Sequence, residues 1–427
     1  MNSNQSAGVN PNIQGLKKSA TLAINEQSRE LSRGGKKIFR FGFGQSPFPV
    51  PQTVVQSLRE NAACKDYLPV EGLGELRAAV AEFHARKHGL HFSKDDVFIG
   101  PGSKELMFIL QLVYESELLL PAPSWVSYAP QAAMIGRDTK WLNASFSDDW
   151  RLTPETLAQH CEKAPSARRL LILNCPGNPT GGTYTADQLA ELAEIARKHK
   201  VIILSDEIYG ELHHRGEHVS IGRFYPEGTI VSSGLSKWCG AGGWRLGTFA
   251  VPPQMQWIRK AMGVVGSETF STASAPVQFA AVTAFANGAE IESYLTNSRR
   301  ILQALGNRAA SLLRDFGVSV VRPDGAFYLF PDFSPLKEKF ARRGITNSVE
   351  FCQALLEETG VALLPGIDFG RPAEELTTRL AYVNFDGGKA LEAAERLAST
   401  DQINDQFLEE FCGDTLAGVK KLCDWLS

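Results

Sequence analysis

The sequence predicts an α/β fold in which a mostly parallel sheet flanked by helices is followed by a smaller α/β domain. Three observations predict it. Short β-rich runs alternate with helical stretches from Asp96 onward, the pattern of a parallel sheet covered by helices. The length, 427 residues, exceeds what one hydrophobic core usually organises, so a large and a small domain are expected. A long helical stretch, Ile291 to Phe316, then leads into a segment with strand and helix signals of its own.

In chain order, Met1 to Lys37 reads as a flexible start and one short helix, Ala20 to Leu31, closed by Arg33-Gly34-Gly35. Strands are expected at Asp96 to Ile99, Glu117 to Leu120, Leu170 to Asn174, Val201 to Ser205, Thr229 to Ser232 and Leu246 to Val251. Helices are expected at Lys104 to Val113, Ala186 to His199 and Pro253 to Met262. Beyond the long helix come Ala326 to Phe330, Ser348 to Glu358, Val361 to Leu364, Thr378 to Val383 and Lys389 to Ala398. The expected organisation is an N-terminal arm (1–48) packing with the small domain or a partner, a large domain (49–300) and a small domain (301–427). The small domain carries an extra tail, amphipathic from Ile403 to Leu426 and interrupted at Gly413, that would pack on a neighbour.

Composition narrows the function classes. A formal charge of -3 without long charged blocks gives no footprint for nucleic acid or an anionic membrane. Seven cysteines, spread out and without close pairs, fit a reduced, cytoplasmic setting better than a disulfide or zinc framework. The polar start, Met1 to Gly15, lacks an apolar signal core, and nothing approaches the roughly 18 apolar residues of a membrane helix. His213-His214 suggests no metal, because neighbours on a strand face opposite ways.

The chemistry concentrates at predicted strand ends, where ligands of open α/β sheets sit. Ser233 to Gly247 places one lysine, Lys237, in a loop of small residues, with Arg245 eight positions on. Backbone amides and the Ser236 hydroxyl can bind a phosphate, Arg245 can pair with it, and a lysine can form an imine with a carbonyl. Alone, the segment is equally a glycine-rich loop with two surface cations. The preceding strands end in Cys175-Pro-Gly-Asn178-Pro-Thr-Gly-Gly182 and Asp206-Glu-Ile-Tyr209. Asp206 can pair with a protonated ring nitrogen, and Asn178 and Tyr209 can donate to a phenolate oxygen. Alone, these read as a turn and a helix cap.

Taken in order and spacing, Asn178, Asp206, Tyr209, Lys237 and Arg245 give the chain a resemblance to the fold-type I pyridoxal-phosphate enzymes, specifically the class I/II aminotransferases, over about Ser19 to Leu397. It is most similar to the bacterial aspartate aminotransferase subgroup. The resemblance implies that pyridoxal 5'-phosphate is held by Lys237 as a Schiff base, and that Lys237 then moves the proton. Asp206 would face the ring nitrogen and Trp125, within Pro123 to Tyr128, would stack on the ring. Ser236, Arg245 and the amides of Gly102, Ser103 and Lys104 would bind the phosphate. Asn178, Trp125, Gly44 and Arg379 would contact the substrate, Arg379 clamping its α-carboxylate. Tyr67, and less securely Ser271 and Thr272, match segments that serve the partner subunit, which implies a homodimer with shared sites. Asp324 to Tyr328 and Leu364 to Phe369 match signatures that speak for the fold more than the chemistry.

The same resemblance implies ping-pong transfer of an amino group from an L-amino acid to a 2-oxo acid. Lys104 and Thr21 match positions that contact a distal carboxylate, which favours aspartate with 2-oxoglutarate; otherwise they are a solvated cation and a helix cap. Three departures bear on the pocket: the short connection Val113 to Leu118, Gln45-Ser-Pro-Phe48 in place of the commoner Glu-Pro-Asp-Phe, and the tail. An aminotransferase for aromatic or neutral amino acids, or a carbon–sulfur β-lyase of the same fold, would keep nearly all the cofactor residues. A non-catalytic effector module fused to a DNA-binding domain is disfavoured, because fewer than about 50 residues precede the first motif. A dinucleotide site is disfavoured too, because Arg245 stands where the third glycine belongs.

Overall fold

Continuous apolar runs such as Leu170 to Leu173 can be strands only if both faces are covered, and the computed structural model, which describes residues 8–286, 288–398 and 401–427, covers them. Among the described residues, twelve strands form three sheets. They are β1 (Phe39–Arg40), β2 (Val97–Gly100), β3 (Glu117–Ala122), β4 (Thr139–Asn143), β5 (Arg169–Asn174), β6 (Ile202–Asp206), β7 (Thr229–Gly234), β8 (Gly247–Ala250), β9 (Tyr328–Leu329), β10 (Val361–Ala362), β11 (Leu364–Pro365) and β12 (Thr378–Ala381). The large sheet runs β2-β8-β7-β6-β5-β3-β4. It is parallel except for β8, which is antiparallel to both neighbours. One face packs on the helix Ser103–Val113 through Leu106, Ile109 and Leu110, and the other on the helix Ala186–Lys198 through Leu189 and Leu192. Thr185 and Gln188 start the latter helix as a reciprocal capping box.

Register then decides which residues meet. Asn174 of β5 lies opposite Asp206 of β6, Asp206 opposite Ser232 of β7, and Gly247 of β8 opposite both Gly234 and Gly100. The carboxyl ends of β2, β5, β6 and β7 therefore share one edge with the start of β8. The helix Ala289–Asp315 leads from this layer to the short sheets, β1 with β10 in parallel and β11-β12-β9 antiparallel.

Several expectations need correction. The strand β4 was not expected; its sequence Thr-Lys-Trp-Leu-Asn is mostly open to solvent at the sheet edge and shows no apolar alternation. The expected helix from Pro253 begins as a 3-10 turn and becomes α-helical at Gln256. His213 and His214 follow a 3-10 turn and are not on a strand. Both are buried, His214 between the carbonyls of Pro323 and Ala326. Residues 1–7 of the expected arm, and residues 399–400 after the expected last helix of the small domain, lie outside the described residues.

The tail forms helices Asp405–Phe411 and Gly413–Leu426, and part of it packs on its own chain. The Trp425 ring stacks 5.1 Å from Phe340, Arg343 lies over it at 4.6 Å, and its Nε1 donates to Glu358 at 2.7 Å. Gly418 faces Phe39 and Phe41 so closely that a Cβ would come within 2.5 Å of the Phe41 ring. Gly418→Val should therefore destabilise the chain by about 1–3 kcal/mol, the usual cost of overpacking. Equilibrium urea denaturation measures it, and an unchanged midpoint would refute this packing.

Candidate active site

A cavity of about 490 Å³ opens over the shared strand edge. Lys237, three residues past the end of β7, reaches into it and donates through Nζ to the Gly44 carbonyl at 2.7 Å. The side chain touches the cavity, yet protein surrounds its amine, so its pKa falls from 10.5 to about 7. Removal from water is the main cause, followed by the Arg379 guanidinium, with Asp206 opposing. The Nζ also lies 5.7 Å from the centre of the Tyr209 ring.

Asp206 ends β6 and is 3% exposed. Burial pushes its carboxyl up to about 6, against hydrogen bonds from the Tyr128 hydroxyl at 2.6 Å and the Ile208 amide that hold it down. No cation pairs with it among the described residues. The neighbouring Glu207 instead binds Ser205, Ser220 and His218. Burial opposes its charge, but His218 holds the Glu207 carboxyl down at about 2.

Asn178 is tied to the same edge: its amide donates to Asn174 Oδ1 at 2.7 Å, and Asn174 Nδ2 donates to the Asp206 carbonyl at 2.7 Å. Its own Oδ1 accepts from Arg379 at 3.3 Å. Arg379, on β12, is 1% exposed and also donates to the Gly42 carbonyl at 2.6 Å. Its Nε has no partner among the described residues, an unusual state for a buried cation.

The other side of the cavity is a cradle of amides and cations. The helix Ser103–Val113 starts after Gly102, whose φ of 100° suits glycine. A Cβ on Gly102 would stand 2.1 Å from Arg245 Nη2, and one on Gly247 would stand 2.0 Å from the Ser103 nitrogen. These glycines let Arg245 and the helix start converge. The Gly102 amide, expected to face a ligand, instead donates to the Gly100 carbonyl at 2.7 Å. The Ser103 and Lys104 amides have no acceptor among the described residues, and Ser236 lines the same cavity. Trp125 also lines it, with Lys104 Nζ 4.9 Å above its ring. Thr21 lines it from the second position of the helix Ala20–Arg33, where Ser19 is the cap, and its hydroxyl has no partner among the described residues.

Of the expected residues, Tyr67 is not brought to this cavity: it is 89% exposed on the surface. Thr272 lies beside it in the fold, sharing Gln278 with the Pro69 to Leu73 segment. Sequence reading missed Tyr128, which fixes Asp206, and Tyr328, whose hydroxyl meets that of Tyr209 at 2.7 Å. Each stands within a quoted motif, and the available signal was a hydroxyl-bearing aromatic in an otherwise buried run.

Three comparisons bear on this arrangement. The sequence profile of the family "Aminotransferase class I and II" matches residues 36–397. The chain is 34% identical to an aspartate aminotransferase of Geobacillus stearothermophilus over 379 residues, 87% of this chain and 93% of that one. It is 30% identical to an aspartate/prephenate aminotransferase of Thermus thermophilus, covering 91% of this chain and 98% of that one. The solved structure of aspartate aminotransferase from Thermus thermophilus with maleate superposes with a TM-score of 0.81 at 30% identity, covering 91% and 98% of the two chains.

A buried carboxylate with a raised pKa costs stability. Asp206 is charged in the folded chain only above about 6 but above 3.8 when unfolded, so the cost is full above pH 6 and vanishes as pH falls below 4. In the ligand-free chain, Asp206→Asn should stabilise by roughly 1–3 kcal/mol at pH 7.5, with the gap closing toward pH 4. Denaturant midpoints across pH test this, and a destabilised variant at pH 7.5 would contradict it.

Proposed function

The chain belongs to the class I and II aminotransferases, and from that premise we propose that it moves the amino group of aspartate to a 2-oxo acid such as 2-oxoglutarate. The family's cofactor is pyridoxal 5'-phosphate, and the residues present fit it. A lysine amine near pKa 7, a buried carboxylate without a cation and an amide-and-arginine cradle all face one cavity. On this reading Lys237 attaches the cofactor, Asp206 faces its ring nitrogen, and Asn178 and Tyr209 face its phenolate oxygen. Ser103, Lys104, Ser236 and Arg245 hold its phosphate, and Trp125 covers its ring. When bound, the group supplies an aldehyde that takes up an amine and a protonated ring that draws electrons away from the substrate Cα.

The chain's own groups supply the rest. Lys237, its amine half-deprotonated near neutral pH, would condense with the cofactor's carbonyl with loss of water and, once displaced by the substrate amine, would accept and return the substrate Cα proton. Tyr128 keeps the Asp206 carboxyl ionised enough to hold a proton on the ring nitrogen. Arg379 pairs with the substrate α-carboxylate in the planar, two-point manner that lysine cannot copy. Tyr67, exposed at the surface, and Thr272, bonded to the Pro69 carbonyl two residues away from Tyr67, support a homodimer in which each copy completes the other's site.

The aspartate reading rests on Lys104 and Thr21, a cation and an unpartnered hydroxyl that line the same cavity as Lys237 and Arg379. They suit a second carboxylate at the far end of the substrate. Lys104→Ala should lower kcat/KM for aspartate by roughly 10- to 100-fold, the worth of a charged hydrogen bond, and change alanine turnover far less. Equal losses for both substrates would sink the acidic-substrate reading. Lys237→Ala should leave no cofactor mass on the chain after borohydride reduction, and intact-mass spectrometry reads this directly. An active Lys237→Ala enzyme would overturn the assignment.

A further inference from the structure

The hydroxyls of Tyr209 and Tyr328 are 2.7 Å apart at the wall of the cavity, the two residues being 2% and 1% exposed. A phenol carries one proton, so only one of the two can donate across that contact. Tyr209 faces a second demand, because on the reading above it donates to the phenolate oxygen of the cofactor. Both contacts are satisfied only when Tyr328 supplies the proton between the two tyrosines.

The fold holds Tyr328 in place for this. It sits on β9, opposite Ala381 of β12 and two residues from Arg379. Its ring meets that of Tyr209 edge-on, at 5.6 Å and 83°. The Arg379 guanidinium lies 5.0 Å from the centre of the Tyr328 ring, where a cation draws electron density from a phenol and strengthens it as a donor. Nothing intrudes from the opposite wall, because Gly44 stands where a Cβ would come 2.1 Å from the Tyr328 hydroxyl.

We propose that Tyr328 is a positioning residue for the reaction: its hydroxyl donates to Tyr209, turns the Tyr209 proton toward the cofactor's phenolate oxygen and makes Tyr209 the stronger donor. Consecutive hydrogen bonds polarise one another, most of all where water is absent. Burial raises both phenols, so both keep their protons at neutral pH. The motif Asp324 to Tyr328 thus contributes to the chemistry as well as to the fold.

The inference rests on the cofactor placement proposed above, and the experiment separates the two. The readout is the pH midpoint of the visible absorbance of the bound cofactor in the holoenzyme, which falls as donation to the phenolate oxygen strengthens. Tyr328→Phe keeps the ring, its stacking and its fit against Gly44, and should raise the midpoint by roughly 0.5–1 pH unit, the worth of one hydrogen bond. Tyr209→Phe should raise it at least as far. Adding Tyr328→Phe to Tyr209→Phe should change nothing more, because the second tyrosine acts through the first. An unmoved midpoint in Tyr328→Phe beside a moved one in Tyr209→Phe would overturn the proposal, as would two shifts that add. No shift in Tyr209→Phe would instead remove the placement of Tyr209, and this inference with it.

Discussion

A lysine can act as a nucleophile and a base near neutral pH only if its amine spends part of its time unprotonated, and an exposed lysine, with a pKa of 10.5, does not. Lowering that value to about 7 requires removing the amine from water and placing a second cation within reach. Neither is possible on a free loop. The chain meets both conditions by setting Lys237 at the carboxyl edge of a buried parallel sheet and bringing Arg379 in from a separate antiparallel sheet. Gly234, at a φ of 158° and with a Cβ position 2.6 Å from the Leu246 carbonyl, is the close approach that lets the lysine loop turn there.

Two buried cations in one cavity call for compensation, and the kind of compensation matters. Lys237 and Arg379 donate to the carbonyls of Gly44 and Gly42, neutral groups on one short N-terminal segment. A carboxylate partner would neutralise them permanently; a carbonyl satisfies a hydrogen bond and leaves the charge available to a ligand. Asp206, the one carboxylate that lines the cavity among the described residues, is held by a tyrosine and an amide instead of a cation. Its neighbour Glu207 has the opposite treatment, a buried pair with His218 that fixes the strand end from behind. Adjacent acids at one strand end thus divide into one that faces the cavity and one locked in a buried pair.

Much of this was legible in the sequence, for a physical reason. Lys237, Arg245, Asp206, Asn178 and Tyr209 are polar groups placed near the ends of apolar strands, and their order and spacing carried the resemblance; Arg379, inside β12, was marked only through that resemblance. The sheet was legible too, because strands buried on both faces read as runs such as Leu170 to Leu173. Edge strand β4 was not, since solvent on its outer side removes the pressure for an apolar pattern. The partners of the marked residues were hidden for another reason. Tyr128, Asn174 and the Gly42 carbonyl act by position, and their types suit a core or a turn equally well. The tail shows the same limit: its amphipathic period was visible, but its partners Phe39 and Phe41 lie near the opposite end of the chain, and Phe340 lies on a separate element.

Lys104 carries the argument about substrate furthest. It begins a helix whose N-terminus already favours negative charge, and a cation there is unfavourable unless an anion joins it. Arg245 lowers its pKa further after burial has done so. Glu105 lies in the same turn, but no ion pair involves Lys104 or Arg245 among the described residues. One phosphate suffices for Arg245 and the free amides of Ser103 and Lys104. It leaves the Lys104 ammonium, 4.9 Å above the Trp125 ring and inside the cavity, without a counter-charge. On the proposed reading Arg379 takes the α-carboxylate, so the anion that would complete the balance belongs to the substrate side chain. A dicarboxylic amino acid supplies it, and a neutral one would leave a cation desolvated and unpaired at every turnover.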